Sequence, residues 1–220
     1  MKNANLKRLV ALTLVSSTLL AACGGDSVVN TNTSSTSADL NDEEIIGLLF
    51  MREEEELARD LYLDIYDAKD SRLTTFKNIS DNAETKHAEA IRTLLETYEI
   101  EDPSTGLRNT YNDPDLQDLY DQLLNVAVGS DDLAALRVGA LVEETDIRDI
   151  NTHKSNVLSE HQDIISTYNN LLCGSRNHLR SFTQQIEGIT GQAYMTQVPE
   201  LDAEVQAILS SDKERCGSGN

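Results

Sequence analysis

The 220-residue chain carries a formal charge of −20 at pH 7, which argues against nucleic acid or an anionic lipid surface as a partner. Trp is absent, only three prolines occur, and Leu, Ala, Glu and Asp are abundant, so the composition favours helices over strands. The excess of carboxylates suits an exported domain with solvated acidic faces, and it also suits a protein that binds metal through carboxylates.

The chain begins with the pattern of a secretory signal over residues 1–23. Lys2, Lys7 and Arg8 give a positive start, and the apolar run that follows is too short to span a bilayer. Small residues then precede Cys23, an arrangement that resembles a bacterial lipobox and implies lipidation of Cys23 after cleavage before it. The alternative is an ordinary signal peptide cut nearby, which would leave the protein without an anchor.

Residues 24–41 are rich in Ser, Thr, Asn, Gly and Asp and predict a flexible tether. Residues 42–212 then form one folded domain, followed by a tail at 213–220. A lipid on Cys23 would make the membrane a partner and place the domain in the bacterial cell envelope. Gly24 stands where many inner-membrane lipoproteins have aspartate, which favours the outer membrane or the cell surface.

The first predicted helix covers residues 42–68, with Asn41 or Asp42 as its cap. Its apolar face is interrupted by one carboxylate, Glu55, and the neighbouring glutamates are predicted to point elsewhere (Glu53, Glu54 and Glu56). A second helix is predicted from residue 73 or 75 to residue 98. Glu84 and His87 lie three apart on it, on one face beside an apolar stripe, where both can reach one metal ion.

A long connection over residues 102–112 reads as a crossover, and a short helix is predicted at 114–128. The next long helix, at 131–151, carries Glu143 in an apolar line, with Asp146 three residues on. The last long helix, at 155–186, carries His178, and a short helix follows at 201–211. The sequence thus predicts an all-α fold, a four-helix bundle with a polar centre, a crossover connection and short extra helices.

The order of these polar residues resembles the ferritin-like superfamily, and rubrerythrins most closely. Glu55 with Tyr62, the Glu84-x-x-His87 pair and the Glu143-x-x-Asp146 pair each resemble a helix motif of that superfamily, and His178 matches the histidine of the fourth helix. Ser175 stands where rubrerythrins have the fourth-helix glutamate, and Asp146 is the candidate replacement. The chain also resembles a bacterial ferritin-like family of unknown function, most clearly over residues 53–60, 139–147 and 174–179.

The resemblance implies a ferritin-like four-helix bundle with one or two metal ions, held by a set of carboxylates and imidazoles: Glu55, Glu84, His87, Glu143, Asp146 and His178. Such ligands suit iron, manganese or zinc, and the absence of thiolate disfavours Cu(I). An iron centre there would oxidise Fe(II) with O₂ or peroxide, or reduce peroxide with electrons from an external donor, because the chain has no Cys-x-x-Cys motif. Ferritin-like relatives form dimers or larger shells, and a tethered chain is poorly placed to close a shell, so a homodimer is the assembly to expect.

Each of these residues also has an ordinary structural interpretation. An interior glutamate can pair with an arginine (Arg59, Arg148, Arg176 or Arg180), and His178 can be a hydrogen-bonded core histidine. His153 and His161 lack a comparable context and are predicted at the surface, and Asp60, Asp149 and Asp163 near the site or at the surface. Under this interpretation the protein is a non-catalytic metal-binding or structural bundle that docks a partner.

Cys173 and Cys216 remain as an even pair once Cys23 is assigned to lipid. In an oxidising compartment they predict a disulfide between the last long helix and the C-terminal tail, and the alternative is two free thiols.

Overall fold

The computed structural model describes residues 40–217, and within that range the chain is all-helical, with no strand. The predicted signal, the lipidation of Cys23 and residues 24–39 of the tether lie outside the described range, as do residues 218–220 of the tail. No helix of the described part is both long enough and apolar enough to cross a bilayer.

The first helix, α1 (Asp42–Ala68), has the bounds that the sequence predicted. Asn41 caps it, because its side-chain oxygen accepts from the Glu44 backbone N–H at 3.0 Å. The Glu44 carboxylate accepts from the Asn41 N–H at 2.8 Å in return. This capping box satisfies two otherwise unpaired donors and fixes where α1 starts.

The second rod of the bundle consists of α2 (Thr74–Ile79), a π-helical segment (Ser80–Glu84) and α3 (Thr85–Thr97). The sequence predicted one uninterrupted helix here, and the π segment was not foreseen. The N–H of Thr85 reaches back to the carbonyl of Ser80, five residues earlier, instead of the usual four. The wider turn ends at Glu84, and His87 lies in the first turn of α3, which follows. Such π-helical turns often lie at functional sites.

Acidic residues of α1, spaced three and four apart, bind the crossover that follows α3. The Glu53 carboxylate accepts from the Asp113 N–H at 3.0 Å, and Glu56 accepts from the Ser104 hydroxyl at 2.6 Å. Asp60 accepts from the Asn109 N–H at 2.9 Å. Glu53 and Glu56 were predicted to point away from the apolar stripe, and Asp60 to lie near the site or at the surface. All three are buried, because the crossover covers them and supplies N–H and hydroxyl donors.

The remaining helices are α4 (Pro114–Val128), α5 (Asp132–Ser155), α6 (Gln162–Thr190) and α7 (Asp202–Leu209), with a short 3₁₀ turn (Pro199–Leu201) before α7. α1 packs on α3 and α5, and α6 packs on the same two helices. The four rods therefore close into a bundle in which α1 and α6 lie diagonally opposite. α4 lies outside this ring, against α1 and α5.

The prediction for the start of α6 was wrong, and so was the surface position of His161. α6 begins at Gln162, because residues 156–161 form a turn that is drawn onto Glu44. Glu44 accepts from the Leu158 N–H at 2.8 Å, and His161 Nδ1 lies 2.5 Å from the same carboxylate. His161 is 3% exposed, so this pair belongs to the end of the core.

The C-terminal tail returns to α6. The Arg176 guanidinium donates to the Glu214 carboxylate at 2.7 Å, and the Asn177 amide donates to the Glu214 carbonyl at 3.1 Å. Cys173 of α6 and Cys216 of the tail are joined by a disulfide that closes a separation of 43 residues. The tail is therefore fixed along one side of α6.

The double variant Cys173→Ser/Cys216→Ser is expected to lower the free energy of unfolding by about 2–4 kcal/mol, because the unfolded chain regains the freedom that the long closed loop removes. Urea denaturation followed by circular dichroism measures the change. Wild-type protein treated with a thiol reductant is the matched control and should lose the same amount. Equal stability of the wild type under oxidising and reducing conditions would contradict the prediction.

Candidate metal centre

Five of the six predicted site residues meet inside the bundle, and every rod contributes. Glu55 comes from α1, Glu84 from the end of the π segment, His87 from α3, Glu143 from α5 and His178 from α6. The three glutamates are at most 2% exposed. The centre therefore lies within the core, and its polar groups must satisfy one another or a bound ligand.

The first group of possible ligands consists of Glu55, Glu84 and His87. His87 Nδ1 lies 2.9 Å from one oxygen of Glu84 and 3.2 Å from one oxygen of Glu55. Glu55 keeps a second oxygen that is buried without a hydrogen-bond partner.

The second group consists of Glu84, Glu143 and His178. His178 Nδ1 lies 2.9 Å from the other oxygen of Glu84 and 3.5 Å from Glu143. Glu84 is thus common to both groups and offers one oxygen to each. A carboxylate with this position can bridge two ions, each with an imidazole at its outer side.

In the first group His87 Nδ1 is within hydrogen-bonding distance of both carboxylates, whereas the second group lacks such a bond. His178 Nδ1 and Glu84 Oε1 are 2.9 Å apart, yet both are buried without a correctly directed hydrogen bond. When two ligand atoms bind the same ion at about 2.1 Å each, and the angle at the ion is a right angle or tetrahedral, the two atoms lie about 3.0–3.4 Å apart. The spacings of 2.9–3.5 Å in both groups match that value.

Arginine does not neutralise these carboxylates within the described residues. Arg59 pairs with Asp60 and Glu56, and Arg148 pairs with Asp149. Arg176 and Arg180 both pair with Glu214 of the tail. The structural interpretation that these arginines bridge the interior glutamates is therefore wrong for this site, whose positive partners are its two histidines.

The pKa values of the carboxyl groups in the centre are shifted in opposite directions. Burial raises the pKa of Glu55 to about 7, against the opposing charge of His87. Burial also disfavours ionised Glu84, but the charges of His178 and His87 outweigh it and lower the Glu84 pKa. Burial alone would lower the His178 pKa, and Glu143 and Glu84 instead raise it to about 10. Glu84 is therefore the carboxylate that the two histidines hold in its ionised form at the middle of the centre.

The sixth predicted residue, Asp146, lies beside the two groups and belongs to neither. One of its oxygens accepts a short hydrogen bond from the Ser175 hydroxyl, and the other is buried without a partner. Burial and the nearby charges of Glu55 and Glu143 raise the Asp146 pKa well above its usual value. Ser175, in the place of the fourth-helix glutamate, thus holds Asp146 by a hydrogen bond.

Two neighbours position the ligands. The Tyr62 hydroxyl lies 2.6 Å from the oxygen of Glu143 that does not face His178, which makes it the donor to that carboxylate. Gly174 leaves room for His87, because a Cβ at this position would lie 2.5–2.6 Å from the His87 ring. Tyr62 belonged to a predicted motif, whereas Gly174 was not expected to have a role; its position one residue before Ser175 was the available signal.

Gly174→Ala is expected to push the His87 ring away from Glu84 and to weaken metal binding by about tenfold to a hundredfold, as loss of ligand orientation commonly does. Gly188→Ala is the matched control on the same helix, because a Cβ there meets nothing within 4 Å. Competition with a chromophoric chelator for Zn²⁺ measures both variants. Wild-type affinity in the Gly174 variant would show that His87 does not bind the metal.

Metal affinity is expected to increase with pH. The Glu55 carboxyl, with a pKa of about 7, and the His178 imidazolium, with a pKa of about 10, must each lose a proton before they can bind a metal. Each unit of pH lowers the concentration of the competing protons tenfold, so the affinity should rise at least about tenfold per pH unit between about pH 6 and pH 8, and more steeply below about pH 7, where Glu55 is protonated as well. The same chelator competition, run across this range, would contradict the assignment if the affinity stayed constant.

Comparison with known proteins identifies the family. Residues 44–212 match the family described as an uncharacterized protein domain, DUF2202. The Uncharacterized protein MJ0754 of Methanocaldococcus jannaschii is 37% identical over 177 residues, which are 80% of this chain and 91% of that protein. The crystal structure of hypothetical protein MJ0754 aligns with a TM-score of 0.72 at 35% identity, over 83% of this chain and 100% of the other. The chain therefore belongs to the DUF2202 family.

Proposed function

We propose that this protein is a ferritin-like, rubrerythrin-related metalloprotein whose centre holds two ions bridged by Glu84. The observation that carries the proposal is the shared carboxylate: Glu84 faces His87 with one oxygen and His178 with the other. A single buried pair would be an ordinary core hydrogen bond. Two groups that meet at one glutamate, on four rods in ferritin-like order, support a binuclear centre.

We assign Glu55, Glu84 and His87 to one ion, and Glu84, Glu143 and His178 to the other, with Asp146 available beside them. Bound iron would supply the electrons for peroxide reduction, or O₂ or peroxide would oxidise Fe(II) held there, and manganese or zinc are the alternative occupants. The electrons for peroxide reduction would come from an external donor, since the chain has no Cys-x-x-Cys motif of its own.

The protein's own residues prepare the site for this chemistry. Burial of the three glutamates keeps bulk water from them. Tyr62 holds Glu143 by its hydroxyl hydrogen bond, and Ser175 holds Asp146. His87 and His178 also line a cleft that opens to solvent, so the centre has an entrance on the histidine side.

The cellular part of the proposal rests on the N-terminal sequence. A lipid on Cys23 and a tether to residue 41 would hold the bundle at the outer membrane or the surface of a bacterial envelope. A metal-binding or structural bundle without turnover is the second candidate. It is favoured by Ser175, which supplies a hydroxyl where the resemblance calls for a carboxylate ligand. Assays of peroxide reduction and of Fe(II) oxidation on the loaded protein distinguish the two candidates.

The test begins with the metal content of purified protein that has not met chelators. About one to two iron or manganese ions per chain are expected, and the double variant Glu84→Ala/His87→Ala should hold none. Glu89→Ala is the matched control, because Glu89 lies on the same helix but is exposed. Absence of metal in the wild type, even after anaerobic loading with Fe(II), would contradict the proposal.

Chelation provides an independent readout. Removing a metal present at about a hundred times its Kd should lower the free energy of unfolding by about 2.7 kcal/mol. The Glu84→Ala/His87→Ala variant should not respond to the chelator, and Glu89→Ala should respond like the wild type. Thermal unfolding with and without chelator measures this, and an unresponsive wild type would argue for a core that needs no ion.

A further inference from the structure

The cleft above the two histidines has three walls. It measures about 720 Å³ and lies between the α2–π–α3 rod and α6, with the C-terminal tail as the third wall. Lys86 of α3 and Lys213 of the tail both line it, and His87 and His178 line it next to the metal centre. A molecule in this cleft would therefore touch both the lysine-bearing walls and the ligand histidines.

The charge of the lining is opposite to that of the protein. The chain has 38 Asp and Glu against 18 Lys and Arg. Among residues 40–217 no Asp or Glu lines the cleft, and its polar side chains are cationic or neutral, with Lys86, Lys213, His87 and His178 beside several asparagines and hydroxyl groups. Among the described residues the one lysine in an ion pair is Lys77, outside this lining, so Lys86 and Lys213 keep their charges for a ligand.

The histidines add donors to the cleft. Each ring faces the buried carboxylates with Nδ1. An imidazole that binds a metal through Nδ1 carries its hydrogen on Nε2, which is then a donor. Nε2 is therefore the ring nitrogen that His87 and His178 can offer to a molecule in the cleft.

The wall that carries Lys213 is fixed. The next residue, Glu214, is paired with Arg176 and Arg180, so its negative charge is neutralised outside the lining. The Cys173–Cys216 disulfide ties the same segment to α6. Because Glu214 and Cys216, which follow Lys213 in the chain, are both fixed to α6, the backbone at Lys213 is held beside the cleft.

We propose that this cleft binds a small oxyanion or carboxylate, held between Lys86 and Lys213 with the Nε2–H groups of His87 and His178 beneath it. The inference names the substrate class of the proposed metal centre and rests on that function for the histidine contacts; the lysine and asparagine contacts do not need a metal. Two lysines disfavour entry of Fe²⁺ by this route, so the cleft supports an anionic substrate or co-substrate over ferrous iron.

The test is calorimetric titration of the purified protein with inorganic phosphate and with acetate at constant ionic strength, before and after chelator treatment. One saturable anion site per chain is expected. Lys86→Gln and Lys213→Gln should each weaken it about tenfold, the value of one charge-assisted hydrogen bond. Lys154→Gln is the matched control, because Lys154 lies outside the cleft, and it should leave the affinity unchanged.

Three results would overturn the inference: no saturable binding of either anion, equal affinity in all variants, or equal loss in the Lys154 variant. Binding that requires the metal and ignores both lysines would also overturn it, because the anion would then be a metal ligand alone. If only the metal proposal fails, the result is distinguishable. The purified protein would then hold no metal ion, while the chelator-treated chain would still bind phosphate through its lysines.

Discussion

The contact between Glu84 and two imidazoles at the middle of the bundle is the constraint on which the rest of the structure depends. A carboxylate that is 2% exposed loses most of its hydration, and burying it costs several kcal/mol unless positive groups surround it. His87 and His178 approach its two oxygens from different helices, each at 2.9 Å. Because no arginine of residues 40–217 pairs with these carboxylates, the two histidines and any bound ion must offset that cost.

Two features of the helices accommodate this arrangement: a π-helical segment in the backbone and glycines where side chains pack closely. The π segment ends at Glu84. The backbone therefore departs from regular α-helical geometry where the Glu84–His87 pair begins, and the side chains of this pair point into the bundle. Gly174 lets α6 approach the His87 ring, and Gly139 does the same for Phe182, whose ring would lie 2.5 Å from a Cβ there. The acidic residues on the other side of α1 bind the crossover instead, which separates structural carboxylates from those of the centre.

Much of this was accessible from the sequence, because each rod carries a polar residue in or beside an apolar line. That pattern indicated Glu55, Glu84, His87, Glu143 and His178, and the resemblance to the ferritin-like order of ligands predicted that they form one set. The π segment was not foreseen, because wide turns leave no periodic signal. His161 was misplaced, since its burial depends on Glu44, a residue 117 positions away in the chain. The partnership of Ser175 with Asp146 likewise required the packing of α5 on α6.

The most direct test of the shared-carboxylate account is anomalous diffraction from crystals of the protein loaded with manganese or iron. The account predicts two peaks, one beside Glu84, Glu55 and His87 and the other beside Glu84, Glu143 and His178, with Glu84 bound to both. A single peak that involves only one histidine, or peaks that do not involve Glu84, would contradict it.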